Sequence, residues 1–182
     1  MRVVGVVGLV AGMALAGALG AWPLVQADDD DDDDDDARMQ ASLRGFEEPP
    51  AVSSTGRGEF RARISPGGDS FNYTLSYTAL EGNVAQAHIH LGQKGVNGGI
   101  SVFLCTNLGN GPAGTPLCPG TTEGTVSGTI TAASVVGPAP QGIAVGELAE
   151  LLRAIDKNAT YVNVHSSKFP GGEIRGQIDS DD

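Results

Sequence analysis

The chain has 182 residues and a formal net charge of −11 at pH 7, a length that leaves room for one domain once its ends are set aside. The charge sits in the tails: between Ala37 and Ile178 ten acidic residues face ten basic ones, so that span is formally neutral. With no basic excess to neutralise phosphates, nucleic-acid binding is excluded as a function class.

Met1-Arg2 supplies a positive start, and the chain then runs without charge from Val3 to Ala27. Val25-Gln26-Ala27 places small residues where a signal peptidase reads, so residues 1–27 are expected to be a signal peptide cleaved before Asp28, with Ala21 as a second cleavage position. The run is also long enough for an uncleaved membrane anchor at roughly 20 residues. Its Gly/Ala richness and Pro23 favour the cleaved reading, which leaves no membrane span in the mature chain and a secreted or periplasmic destination. Asp28 to Asp36 are nine consecutive aspartates. Such a block repels itself, so residues 28–40 are expected to be a disordered, solubilising segment. Weak calcium gathering through the hard carboxylate oxygens is the alternative use. The folded domain is expected over 41–178, followed by an acidic tail at 179–182.

From Ser42 onward the pattern is almost wholly β. Gly45 to Pro50 reads as an edge segment, because tandem prolines cannot donate to a central ladder. Glu59 to Ile64 alternates, with Phe60, Ala62 and Ile64 inward; after a Ser65–Asp69 turn, Phe71, Tyr73, Leu75 and Tyr77 share one face of a partner strand. Asn83 to Leu91 predicts a strand, Gly92 to Gly99 a loop, and Ile100 to Cys105 a returning strand. Cys105 and Cys118, behind a secretory signal, point to one disulfide, worth about 3 kcal/mol for a loop of this length. A Cys/His metal site is the alternative, though nothing in the spacing indicates a thiolate site. Gly124 to Thr131 adds a strand. Between Gly142 and Asn158, Val145, Leu148, Leu152 and Ile155 recur at helical spacing, with Asn158 as a C-terminal cap. Tyr161 to Ile178 predicts two strands around a Phe169–Gly172 turn, their valines and isoleucines facing a core and Tyr161, Asn163, His165, Glu173, Arg175 and Gln177 forming a polar face. The fold class is all-β: an antiparallel β-sandwich, Greek-key/Ig-like or superoxide-dismutase-like, with one short helix.

Three segments together carry a resemblance: Gly45-Phe46-Glu47-Glu48-Pro49-Pro50-Ala51-Val52, AHIHLGQKGVNGGISVFLC from Ala87 to Cys105, and YVNVHSSKFPGGEIRGQI from Tyr161 to Ile178. In order and spacing they resemble the CHRD domain, the module named after chordin and also found in secreted bacterial proteins. The resemblance covers roughly Ala41 to Ile178 and implies a β-sandwich-like extracellular module. It implies no activity, and the growth-factor binding that accompanies these domains in chordin-like animal proteins does not carry over to this chain.

All three histidines, His88, His90 and His165, fall in the last two of these segments. On a strand His88 and His90 point to one face, so their imidazoles can converge, and His165 from a neighbouring strand would complete a three-histidine site suited to copper or zinc. Glu173, and Asn163 beside it on the polar face, would then orient the ligands from behind. The alternative is structural: His88 and His90 bonded to the Gly92–Gly99 loop, His165 bonded to Glu173 or Ser167, and Glu173–Arg175 an ion pair on the sheet. An H-x-H pair, a distant strand histidine and one disulfide also look like copper/zinc superoxide dismutase, but the zinc-loop histidine cluster and the fourth copper histidine have no counterpart.

Catalytic constellations are otherwise thin. Ser166 and Ser167 adjoin His165, yet strand neighbours point to opposite faces, which argues against a Ser-His nucleophile. The sequence therefore reads first as a secreted CHRD-type binding or structural module rather than an enzyme, its partner a protein, a glycan or a metal ion. The second reading is a copper- or zinc-binding protein using His88, His90 and His165, with redox activity as its far end.

Overall fold

The computed structural model describes residues 38–181, so the expected signal peptide and aspartate tract lie outside the described residues. The elements in chain order are β1 (Arg38–Arg44), β2 (Arg57–Ile64), β3 (Ser70–Thr78), β4 (Val84–Leu91), β5 (Gly99–Thr106), β6 (Gly124–Thr131), α1 (Leu148–Asp156), β7 (Thr160–Ser166), β8 (Ile174–Gln177) and β9 (Asp179–Asp181). Among the described residues no helix is long and apolar enough to cross a membrane.

Period-two alternation does most of the work. Phe60 and Ala62 on β2, and Phe71, Tyr73, Leu75 and Tyr77 on β3, are buried, each large side chain contributing about 1.5–3 kcal/mol of burial. The two tyrosine hydroxyls do not reach water; Tyr73 donates to the Leu104 carbonyl and Tyr77 to the Pro119 carbonyl. Burial pushes both phenols up to about 12, which keeps them protonated donors.

The strands pair antiparallel in the order β5-β4-β7-β8-β1-β2-β3-β6, with β9 beside β1. The two ends of this sheet come together: Val102 in β5 bridges Val135 just beyond β6, and the Val136 amide donates to the Ser101 carbonyl. The sheet is thus curled nearly into a barrel, and β7 returns past β6 to lie against β4, a Greek-key connection. The all-β antiparallel class with a single short helix is what the sequence indicated. The Cys105–Cys118 disulfide is formed and ties β5 to the loop ahead of β6. Asn107 stitches that loop further, donating to the Val84 and Cys118 carbonyls and accepting from the Cys118 amide.

The strands reach past the expected 41–178 at both ends: Arg38–Gln40 open β1, and Asp179–Asp181, expected as a tail, pair with them as β9. Two further local expectations need correction. Gly45–Glu47 forms a single 3-10 turn followed by irregular chain, so the Gly45–Pro50 segment is no edge strand. The helix begins at Leu148, and Gly146, at φ 87°, breaks the chain ahead of it. Val145 is therefore 77% exposed, and Leu148, Leu151 and Ile155 form the buried stripe, with Leu152 only partly covered. Asn158 does end the helix: at φ 53° it is left-handed, and its amide and that of Ala159 satisfy the Ile155 and Ala154 carbonyls.

Candidate metal centre

The polar face of β7 is not a solvent face, because every residue of that strand is buried. β7 lies between β4 and β8, in a register that sets Gln86 opposite His165, His88 opposite Asn163 and His90 opposite Tyr161. On its other side Asn163 faces Arg175 and Tyr161 faces Gln177. His88 and His90, two apart on β4, share this face, and His165 reaches His88 on the diagonal.

The three imidazoles meet. One ligand nitrogen from each lies within 4.8 Å of the others, and His88 Nδ1 is 3.1 Å from His165 Nε2. The rings are 0, 8 and 8% exposed for His88, His90 and His165. Two backbone carbonyls fix the tautomers. His90 Nδ1 donates to the Gly98 carbonyl and His165 Nδ1 to the Pro170 carbonyl, each at 2.9 Å. A carbonyl only accepts, so both rings carry their proton on Nδ1 and keep an Nε2 lone pair. With His165 Nε2 an acceptor, the His88 proton sits on Nδ1, and His88 Nε2 is a lone pair too. The Nε2 atoms of His88 and His90 are buried with no hydrogen-bond partner, a desolvation cost of about 1–3 kcal/mol apiece.

Burial, reinforced by the neighbouring His165 and His90, pushes the His88 imidazole down to about 2. Burial takes His90 down to about 4 against the opposing Gly98 carbonyl. His165 is lowered by burial, opposed by the Pro170 carbonyl. All three rings are consequently neutral near pH 7, the form that ligates metals. Phe103 stands edge-on to His88 with centroids 4.5 Å apart. Tyr161 stacks flat on His90 at 4.8 Å.

A second set of side chains holds the Gly92–Gly98 loop over this face. Arg175, 1% exposed, donates to the Val96 carbonyl at 2.9 Å, the Gln93 carbonyl at 3.2 Å and Asn97 Oδ1 at 3.4 Å. Gln177 Nε2 donates to the Gly92 carbonyl, and the Gly98 amide donates to the Tyr161 hydroxyl. Gly98 is required where it stands: a Cβ there would lie 1.6 Å from the Leu91 carbonyl oxygen.

The remaining sequence candidates are placed further out. Asn163 Nδ2 donates to Glu48 at 2.6 Å, and burial pushes the Glu48 carboxyl up to about 7 despite Asn163 and the nearby Arg175 charge. Glu173 is fully buried and accepts from the Ser54 hydroxyl and the Glu81 amide. It does not meet His165, whose Nδ1 partner is Pro170 rather than Glu173 or Ser167. Arg175, two residues along the same strand, spends its donors on the loop instead of pairing with Glu173. Both cysteines are in the disulfide, which removes the Cys/His alternative. Gly98, Pro170, Phe103 and Glu48 were not singled out from the sequence; the first two act through backbone oxygens, which leave no signature in residue type.

Comparison with protein families finds the CHRD domain over residues 39–178. No curated protein and no solved structure matches significantly.

Proposed function

The chain belongs to the CHRD domain family, and from that premise we propose that it is a secreted or periplasmic domain holding one copper or zinc ion on His88, His90 and His165. The observation that carries this reading is the pair of fixed tautomers: the Gly98 and Pro170 carbonyls take the Nδ1 protons and leave Nε2 lone pairs in a shared buried space. Carbonyls that orient histidines in this way are the usual outer partners of metal ligands. Imidazole suits both copper and zinc, and three protein ligands leave a coordination position open. In this reading Asn163 and Glu173 act from further out, anchoring the Glu48 and Ser54 segments that frame the face. Export is supported by the Met1–Ala27 composition and by the disulfide, which fits an oxidising compartment. The second reading is a binding module whose histidines are structural, favoured by the direct His88–His165 hydrogen bond.

Elemental analysis with copper and zinc titration separates the two. The full chain is expressed with its N-terminal segment and recovered from the periplasm or medium, beside a variant carrying His88→Ala, His90→Ala and His165→Ala. One equivalent of metal in the parent, absent from a variant that retains the parent's β-sheet spectrum, is expected. A folded parent that takes up no metal refutes the centre and leaves the structural reading. Because the Asp28–Asp36 tract remains in both proteins, any cation it gathers cancels in the comparison.

A further inference from the structure

Seven arginines lie among the described residues, and five of them, Arg38, Arg44, Arg57, Arg61 and Arg63, stand exposed on the outer face of β1 and β2. The register puts Arg38 directly opposite Arg63 and Arg44 directly opposite Arg57. Like charges facing each other across a ladder destabilise a sheet, and this otherwise neutral domain carries two such pairs on one hairpin. Among the described residues the ion pair on this stripe is Arg61–Glu59, at 3.3 Å and well exposed. Glu59 lies midway along the stripe, and β9 sets Asp179 opposite Gln40 and Asp181 opposite Arg38 at the outer edge of β1.

Between Glu59 and the β2–β3 turn the outward side chains of β2 and β3 are Arg61, Arg63, Asn72 and Thr74, all basic or polar. A groove of about 640 Å³ opens there, lined by Arg38, Gln40, Arg61, Arg63, Asn72 and Thr74 among others, with no carboxylate in its wall. Thr129 donates to Asn72 Oδ1, which leaves the Asn72 amide nitrogen to donate into the groove. Thr74 shares a hydrogen bond with Ser127 at 3.0 Å, continuing a row of short hydroxyls beside the arginines. The exposed large apolar side chains, Phe46, Val96, Leu108, Leu117 and Val145, all lie elsewhere. The groove's apolar lining, Met39, Ala62 and Tyr73, is buried beneath these side chains, so no large exposed apolar group is offered to centre a protein interface or to wedge into lipid.

We propose that this arginine-lined groove binds an acidic polysaccharide whose charges are carboxylates. A guanidinium fork matches a planar carboxylate with two parallel hydrogen bonds, and Gln40, Asn72 and Thr74 supply the amide and hydroxyl partners that neighbouring sugar hydroxyls need. A polymer suits the stripe better than a small anion, because the two opposed arginine pairs stand roughly 20 Å apart along β1 at 3.4 Å per residue. The groove shares no lining residue with the histidines, which stand on β4 and β7 with β8 between them and β1.

The probe is a set of polygalacturonate oligomers, titrated by calorimetry against the full chain, with neutral dextran and anionic phospholipid vesicles as comparators. Binding to the oligomers and not to dextran is expected, weakening as salt rises past roughly 0.1 M, where the screening length is about 10 Å. Replacing Arg38, Arg61 and Arg63 together by Gln is expected to cost roughly tenfold in affinity, the sum of three exposed charge contacts. Replacing Lys94, Arg153 and Lys168 by Gln removes the same charge from other surfaces and is expected to change little. All six side chains are surface groups, so circular dichroism should show both variants folded. No binding to the oligomers, equal losses in the two variants, or tighter binding to vesicles than to oligomers would each overturn the assignment.

Discussion

The guanidinium carbon of Arg175 lies 3.3 Å from the centre of the Tyr161 ring, whose ring also stacks on His90. β7 lies between the strands that carry the other two, so a cation from β8 and an imidazole from β4 flank one aromatic ring. Desolvated contacts of this kind are worth about 2 kcal/mol or more. The same guanidinium also donates to the Gln93 and Val96 carbonyls. Arg175→Lys keeps the charge but loses the fork, so it is expected to lower unfolding free energy by about 1–3 kcal/mol. Urea denaturation measures this, with the exposed Arg153→Lys as a control expected to stay within about 0.5 kcal/mol.

Gly98 links that clamp to the histidines, since its amide reaches Tyr161 and its carbonyl reaches His90. A methyl group at Gly98 would collide with the Leu91 backbone, so Gly98→Ala must displace the loop and break both bonds. A destabilisation above about 2 kcal/mol is expected, together with loss of the single His90 tautomer in nitrogen-15 spectra of the imidazoles. Gly171→Ala, where a Cβ meets nothing within 4 Å, should leave both readouts unchanged. A His90 signal untouched by Gly98→Ala would show that the carbonyl does not set the tautomer.

The disulfide closes a segment with a sequence separation of 13 and little apolar burial of its own, since Leu108 and Leu117 are 60 and 73% exposed. Its contribution is therefore mostly a restriction of the unfolded chain. Cys105→Ser with Cys118→Ser is expected to cost about 3 kcal/mol, read as a lower thermal midpoint that no longer responds to reductant. A double variant as stable as the parent would mean that the Asn107 hydrogen bonds alone hold the loop.

Strand alternation made the β2–β3 hairpin legible, because inward Phe60 and Ala62 pair with inward Leu75 and Tyr73 in the observed register. The convergence of His88 and His90 was legible for the same reason. What the residues do not reveal is that the polar face of β7 and β8 is roofed over, by the Gly92–Gly98 loop pinned to Arg175 and by the Glu48 segment held at Asn163 across 115 positions. Contacts at such separation have no local pattern. The helix stripe was misread at Val145 because periodicity counts residues and takes no account of the chain break that Gly146 introduces.

Acid should unfold this domain through its histidines, and Glu48 should oppose them. His88 and His90 fall from the usual 6.5 to about 2 and about 4 on folding, and His165 moves in the same direction. The unfolded chain therefore binds more protons below pH 6.5, and stability declines as pH falls from there towards the folded values. Glu48 moves the other way, from 4.5 to about 7. Its contribution is complete below 4.5 and is lost as pH rises through about 7. Between these limits three depressed histidines outweigh one raised carboxyl, so metal-free protein is expected to be most stable near pH 6.5. Denaturation midpoints across pH 4 to 8 test the sign. Glu48→Gln should flatten the loss on the alkaline side and leave the acid side intact. A parent whose stability rises on acidification from 6.5 would mean that the three imidazoles are not held neutral in the fold.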